Sequence, residues 1–195
     1  ADSVPTPEDY LPEPLSPYAI SKFSSEKYIR FYYHQYGLKY IILRYSNVYG
    51  PRQIAQGEAG VVAIFTENLL AGVRSTLNHF PDEKRGMIRD YCYVKDVARA
   101  NIYAAQGKTC GLYNIGTGKG THTLDLYKYA VKEVKKKGIT IPSECKELAR
   151  GPARKGDIRV STLDVIKAKK ELGWVAEYSI ETGLAETIDW YIGKR

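Results

Sequence analysis

The sequence has few of the residues that build cross-linked or metal-bound proteins, and it has no long apolar run. Its three cysteines lie far apart without a CxxC pair, so they suggest neither a disulfide framework nor a zinc site. Its three histidines are equally scattered. No apolar stretch approaches the roughly 18 residues that a membrane-spanning helix needs. We therefore expect no metal site and no membrane partner.

The first 14 residues also lack the features of a secretory leader. They are acidic and rich in proline, without the basic start and apolar centre that a signal peptide has. A cytoplasmic location is therefore the expectation. The 195 residues are 44% hydrophobic and 26% charged, which is typical of a globular chain with one sizeable core and untypical of disorder or a coiled coil.

The formal net charge of +7 indicates an anionic partner, which could be nucleic acid, a membrane surface or a phosphorylated small molecule. The densest basic cluster, Lys132 with residues 135–137, lies at the end of a predicted helix, just before Gly138. Cations at a helix C-terminus complement the helix dipole and are solvated there. We therefore interpret the cluster as a solvated helix end, and we expect no nucleic-acid partner.

A tyrosine and a lysine occur one helical turn apart near the start of the chain. Ser16 can cap the free N–H groups of a helix, and Pro17 suits its first position. Tyr18 and Lys22 then stand at i and i+4 on one face. An ammonium group so close lowers the pKa of a phenol toward the range useful for acid/base chemistry. By itself, the spacing equally fits an aromatic ring packed beside a surface lysine.

The order of elements predicts an α/β fold. A helix over residues 17–36 ends at Gly37, and an apolar strand without alternation follows over residues 39–45, as in a parallel sheet covered on both faces. A loop rich in Gly, Pro and Asn comes after this strand, where open α/β sheets bind ligands. Further helices are predicted over 60–70, 95–106, 124–137, 163–172 and 180–192. Further strands are predicted over 90–94, 112–115 and 145–148.

Six short stretches, in this order, resemble the extended short-chain dehydrogenases, and within that family the UDP-sugar 4-epimerases most. The first contains the YxxxK signature of the family. The stretches are residues 16–22 (SPYAISK), 44–52 (RYSNVYGPR), 60–65 (GVVAIF), 89–98 (RDYCYVKDVA), 113–118 (YNIGTG) and 153–157 (ARKGD). Each stretch is a weak signal by itself, whereas six in one order make a strong one.

The resemblance implies roles for the residues near the tyrosine and lysine. In the family, the tyrosine that matches Tyr18 is the catalytic acid/base. The lysine that matches Lys22 lowers the pKa of this tyrosine and holds the nicotinamide ribose. Tyr45 is placed among the residues that contact the cofactor, which the resemblance identifies as NAD. The turn over residues 116–120 receives no cofactor role, because it has neither the P-loop order nor the dinucleotide fingerprint.

The resemblance also implies a set of substrate-binding residues. Asn47 matches an asparagine that contacts the nucleotide diphosphate, and Arg89 and Arg154 match arginines that clamp it. Asp157 would orient Arg154 or contact the nucleotide ribose. Without the resemblance, Asn47 would be a turn residue, and each arginine would form a surface ion pair with a neighbouring aspartate.

The resemblance further implies that this chain is the C-terminal part of a longer enzyme. The glycine-rich dinucleotide fingerprint and the Ser/Thr that binds the substrate hydroxyl have no match here, so we expect a missing N-terminal Rossmann segment. The expected architecture is then the C-terminal part of a Rossmann-type parallel sheet plus a smaller α/β substrate-binding domain. Residues 1–53 would belong to the NAD-binding domain and 54–195 mainly to the nucleotide-sugar domain, with the strand near 112–115 returning to the Rossmann sheet.

The implied activity is epimerisation of a UDP-hexose at C4 through a 4-keto intermediate, by an intact enzyme that is a homodimer. A sugar-nucleotide 4,6-dehydratase or decarboxylase shares the Tyr/Lys pair and is the alternative within the family. A second alternative belongs to another class: a UDP-sugar-binding module without catalysis, or one half of a split enzyme.

Overall fold

Helices and short strands alternate along residues 3–55, 60–107 and 109–194, which are the residues that the computed structural model describes. The helices are α1 (Pro17–Tyr36), α2 (Val61–Ala71), α3 (Val94–Gln106), α4 (Thr123–Lys136) and α5 (Ile180–Gly193). The strands are β1 (Ile41–Tyr45), β2 (Asn47–Tyr49), β3 (Thr76–His79), β4 (Ile88–Arg89), β5 (Tyr91–Tyr93), β6 (Gly111–Ile115), β7 (Thr121–His122), β8 (Ala149–Pro152) and β9 (Val160–Ser161). The predicted α/β class is confirmed.

Helix α1 begins and ends where the sequence predicts. The Ser16 side chain accepts the N–H of Ala19 at 3.1 Å, and Pro17 occupies the first turn. At the other end Gly37 adopts the left-handed conformation, with φ of 68°, which glycine does without the steric cost that a side chain brings. No residue of α1 is buried, so almost the whole helix surface is open.

Strands β1 and β6 pair in parallel, with Ile42 opposite Leu112 and Leu43 opposite Tyr113. Tyr113 and Ile115 lie in a buried cluster with Cys92 and Trp174. The continuous apolar run of β1 therefore forms the parallel strand that the sequence predicts. A larger core is formed by buried side chains of α2, α4 and α5 together with residues of β2, β3 and β5.

The strand pairs outside β1 and β6 bring distant parts of the chain together. Parallel pairs form between β2 and β5, between β3 and β8, and between β4 and β9, whereas β4 and β7 pair in the antiparallel sense. No helix in the described part of the chain is both long and apolar enough to cross a membrane.

Two predicted elements are wrong in position. Residues Ser143–Cys145 form a 3-10 turn, and the strand predicted over 145–148 lies instead at Ala149–Pro152, where it pairs with β3.

The helix predicted from residue 163 begins only at Ile166 and continues as a π-helical turn over Ala168–Leu172. Leu163 instead bridges Thr6, and the Asp164 carboxylate accepts the N–H of Ile166 at 2.8 Å, which starts the helix later.

Candidate active site

The four predicted substrate-binding residues line one cleft of about 560 Å³; they are Asn47, Arg89, Arg154 and Asp157. They come from three separate segments of the chain. The pairing of β2 with β5 places Asn47 opposite Tyr91, and the N–H of Asn47 donates to the carbonyl of Asp90 at 2.9 Å. This backbone contact sets Asn47 beside the segment that carries Arg89.

Arg89 is held in the cleft by the three-stranded sheet of β7, β4 and β9. Its Nη1 donates to the carbonyl of Ile88 at 2.9 Å and to that of Arg159 at 3.5 Å. Burial lowers the pKa of its guanidinium, and Tyr91 and Asp157 oppose that shift. A guanidinium remains charged under such a shift, so Arg89 brings a partly desolvated positive charge to the cleft.

Asp157 closes the turn that carries Arg154. Its carboxylate accepts the backbone N–H of Arg154 at 2.7 Å, and its own N–H donates to the Arg154 carbonyl at 3.1 Å. Gly156 lies inside this turn with φ of 88°, a conformation that glycine adopts readily. Asp157 therefore contacts only the backbone of Arg154 in this turn, whereas the exposed side chain of Arg154 lines the cleft.

Tyr18 and Lys22 lie on one face of α1, as the i, i+4 spacing predicts. The Lys22 Nζ lies 5.3 Å from the centre of the Tyr18 ring, and the tyrosine is 59% exposed. Neither Tyr18 nor Lys22 is among the described residues that line the cleft. The structure thus brings together the four residues predicted to bind substrate, whereas Tyr18 and Lys22 lie on the open surface of α1 outside the lining of this cleft.

Tyr45 lies at the end of β1, two residues before Asn47. Its hydroxyl donates to Asn101 Oδ1 at 2.9 Å, and much of the ring is exposed. The carboxyl end of a parallel strand is where ligands bind in open α/β sheets. The position of Tyr45 therefore suits a residue that contacts a ligand lying across this edge.

The glycine-rich turn after β6 does not offer its N–H groups to a ligand. The buried Asp90 carboxylate accepts the N–H and the hydroxyl of Thr117 at 2.9 and 2.6 Å, and the N–H of Gly118 at 3.0 Å. A phosphate cradle needs such N–H groups to be free. In the described part of the chain, no cluster of three or more His, Cys, Asp or Glu side chains could hold a metal.

Polar residues outside the predicted site also line the cleft: Asn68, Arg74, Ser75, Thr76, Asn78, Tyr91 and Thr123. Four of them come from segment 74–78. Tyr91 belongs to the 89–98 stretch and follows Arg89 by two residues on an extended segment. Because alternate residues of an extended segment share a face, this spacing could have identified Tyr91 as a residue of the cleft. Burial raises the pKa of Tyr91 to about 12.

The family model described as GDP-mannose 4,6 dehydratase matches residues 1–187. The chain belongs to this family. A relative in the family, UDP-glucose 4-epimerase of Mycolicibacterium smegmatis, is 39% identical over 191 residues. The match covers 97% of this chain and 57% of the relative, so the chain spans little more than half of that protein's length.

Two solved structures support the same family assignment. A UDP-glucose 4-epimerase from Thermotoga maritima, with UDP-glucose, has a TM-score of 0.87 and 45% identity, over 97% of this chain and 58% of its own. A UDP-glucose 4-epimerase from Thermus thermophilus, in complex with NAD, has a TM-score of 0.83 and 39% identity, over 96% and 58%. The resemblance to the NAD-dependent epimerases and dehydratases is therefore confirmed.

Proposed function

We propose that the protein carrying this chain is an NAD-dependent epimerase that inverts C4 of a UDP-hexose through a 4-keto intermediate. The observation that carries this proposal is a cleft lined by three arginines, of which Arg89 and Arg154 are the predicted diphosphate ligands, together with Asn47. Guanidinium forks match the geometry of a diphosphate. The similarity to two UDP-glucose 4-epimerases supports uridine as the nucleoside and glucose or galactose as the sugar.

The exposed face of α1 fits the ribose end of NAD. Tyr18 and Lys22 stand side by side and open to a ligand, and Tyr45 lies at the end of the neighbouring strand. The turn over residues 116–118 does not cradle the pyrophosphate, because Asp90 occupies its N–H groups. NAD held against Tyr18, Lys22 and Tyr45 supplies the reversible removal of a hydride from the sugar C4.

The residues of this chain supply the proton transfer and the anchoring. Tyr18, as phenolate, takes the proton of the sugar 4-hydroxyl and later returns it, and the positive charge of Lys22 stabilises the phenolate. Arg89 and Arg154 hold the diphosphate with Asn47. The nucleotide then stays in place while the 4-keto hexose turns over, so that both faces of C4 can react.

We also propose the two-domain arrangement, with a boundary near residue 53, and a cytoplasmic homodimer for the intact enzyme. The pairing of β1 with β6 supports a return of the later strand to the first sheet. Support for association comes from exposed aromatic side chains at the end of α1, namely Phe31, Tyr32 and Tyr36, whose rings contact one another, because contiguous apolar surface of this kind marks interaction sites. A preceding Rossmann segment could cover part of the same helix.

Two other functions have support of their own. The description of the family favours a sugar-nucleotide 4,6-dehydratase, with decarboxylation as a related outcome. The open surface of α1 favours a UDP-sugar-binding module without catalysis, or half of a split enzyme.

Product analysis separates the three functions. The protein is incubated with UDP-glucose and NAD, and the sugar nucleotides are followed by NMR. We expect UDP-galactose as the product. A 4-keto-6-deoxy product would instead establish the dehydratase. UDP binding with neither product would establish the binding module.

Arg89→Gln should weaken UDP binding by about 10- to 100-fold, because it removes charge-assisted hydrogen bonds worth about 1.5–3 kcal/mol. Titration calorimetry with UDP measures the effect. Arg159→Gln is the matched control, since Arg159 lies outside the cleft lining, pairs with Asp82 and is exposed. Equal UDP affinity of the Arg89→Gln variant and the unsubstituted protein would rule out Arg89 as a diphosphate ligand.

A further inference from the structure

The side of α1 that carries Tyr18 and Lys22 also carries a carboxylate. Glu26 follows Lys22 by four residues, as Lys22 follows Tyr18, so the three side chains lie on one side of the helix. The Lys22 ammonium therefore stands between two groups that can attract it. It lies 5.3 Å from the centre of the Tyr18 ring, whereas Glu26 pairs with a residue of the sheet.

The partner of Glu26 is Arg44, on strand β1. The Glu26 carboxylate accepts hydrogen bonds from Nε and Nη2 of Arg44, both at 2.7 Å, and the two side chains are only 14% and 21% exposed. Two parallel bonds between a carboxylate and a guanidinium fix the orientation of both groups as well as their distance. Both oxygens of Glu26 are therefore bonded on the side of the sheet.

Arg44 is itself held by the sheet and by the segment before α1. It lies opposite Asn114 in the pairing of β1 with β6, and its Nη1 donates to the Glu8 carbonyl at 3.3 Å. The Glu8 carboxylate accepts the N–H of Asn114 at 2.9 Å, and Asn114 is buried. These contacts fix the guanidinium where it meets Glu26.

Loss of Arg44 would free the Glu26 carboxylate to pair with Lys22. A lysine and a glutamate at i and i+4 on a helix are within reach of each other and attract. The Lys22 ammonium would then turn from the phenol toward the carboxylate. The negative charge of Glu26 would also offset the effect of the ammonium on Tyr18, since a phenolate is stabilised by a positive charge nearby and destabilised by a negative one.

We propose that Arg44 is a positioning residue that holds the Glu26 carboxylate at the sheet and so leaves Lys22 free to act on Tyr18. This inference rests on the proposed function, since it takes Tyr18 as the acid/base group and Lys22 as its positive neighbour. Arg44 acts through Glu26 and contacts neither Tyr18 nor Lys22. The two-point ion pair thus has an electrostatic role besides joining α1 to β1.

Arg44→Met and Glu26→Gln separate this role from a merely structural one. Both substitutions break the ion pair, but only Arg44→Met leaves a free carboxylate beside Lys22. In the proposed epimerase we expect Arg44→Met to lower kcat for UDP-glucose by about 10- to 100-fold, because a neighbouring charge shifts the ionisation of an acid by about one to three powers of ten. Glu26→Gln should lower kcat much less. The double variant Arg44→Met/Glu26→Gln should recover the kcat of Glu26→Gln, since it has no free carboxylate.

UDP affinity and a conservative variant complete the test. UDP affinity, measured by calorimetry, should not change in these variants, because Glu26 and Arg44 are not among the described residues that line the cleft. Arg44→Lys keeps a positive charge beside Glu26, so it should retain most of kcat although it loses the two-point geometry.

Lys27→Gln is the matched control. Lys27 is exposed on α1 next to Glu26, and its Nζ lies 4.7 Å from the centre of the Phe23 ring. The substitution removes a positive charge from the same helix without breaking the bond between Glu26 and Arg44. Its kcat should equal that of the unsubstituted enzyme.

Several outcomes would overturn the inference. Unchanged kcat in Arg44→Met removes the role of Arg44. Equal losses in Arg44→Met, Glu26→Gln and the double variant, or failure of Arg44→Met to fold, would assign the ion pair a structural role only. If Tyr18→Phe loses turnover and Arg44→Met does not, the inference fails and the proposed function stands. If the unsubstituted enzyme forms no UDP-galactose from UDP-glucose, both fail.

Discussion

Tyr18→Phe should lower the turnover of the proposed epimerase by about 10²- to 10⁴-fold, which is the usual contribution of a positioned acid/base group. The substitution keeps the ring beside Lys22 and removes only the hydroxyl that we propose exchanges a proton with the sugar. Affinity for the UDP-sugar should stay within about threefold, because the residues of the proposed diphosphate site are untouched. Steady-state kinetics and calorimetry on the same preparation measure both quantities.

Tyr28→Phe is the control for this result. Tyr28 lies on the same helix and is also exposed, so its substitution changes a phenol of α1 away from Lys22. Its turnover should equal that of the unsubstituted enzyme. Near-normal turnover of Tyr18→Phe would remove the acid/base assignment. A parallel loss of UDP-sugar affinity would mean that Tyr18 binds the substrate in its ground state.

Asp96→Ala should destabilise the fold by about 3–5 kcal/mol, the usual cost of breaking a buried charged network. The fully buried Asp96 carboxylate accepts the N–H groups of Glu177 and Tyr178, both at 3.0 Å, and pairs with Arg99 at 3.1 Å. Its backbone carbonyl accepts the indole N–H of Trp174 at 3.0 Å. Without the carboxylate, the N–H groups of Glu177 and Tyr178 lose their acceptor, and the Arg99 guanidinium keeps only Glu177 and the Val175 carbonyl. Urea unfolding measures the change.

Asp96→Asn and Asp189→Ala complete this experiment. The asparagine keeps one carbonyl acceptor, so its loss of stability should be smaller than that of the alanine variant. Asp189 pairs with Lys137 on the exposed side of α5, and its removal should change the free energy of unfolding by less than about 1 kcal/mol. Equal stability of the two alanine variants would show that the network around Asp96 does not hold α3 to the segment before α5.

The proposed chemistry divides between two surfaces that are held in different ways. The cleft is built from paired strands, which give Asn47 and Arg89 fixed positions. Helix α1 instead is joined to β1 by a two-point ion pair between Glu26 and Arg44, with both distances 2.7 Å. This ion pair joins the helix that carries Tyr18 to the sheet, while no residue of the helix is buried.

The sequence alone determined the features that depend on near neighbours. The Ser16 cap and Pro17 set the start of α1, and left-handed glycines after α1 and α2 set their ends, because these signals act within one helical turn. The ordered motifs also identified the family. The same local rules put Tyr18 beside Lys22 on one face of the helix.

Only the tertiary structure decided which distant groups meet. The strand at Ala149–Pro152 forms because it pairs with β3. The helix predicted from residue 163 begins later because Leu163 forms a β-bridge with Thr6. The hydrogen bonds from the glycine-rich turn to the Asp90 carboxylate likewise depend on contacts between remote segments. Local sequence patterns carry no record of such partners, since burial and hydrogen bonding are settled only when the segments pack together.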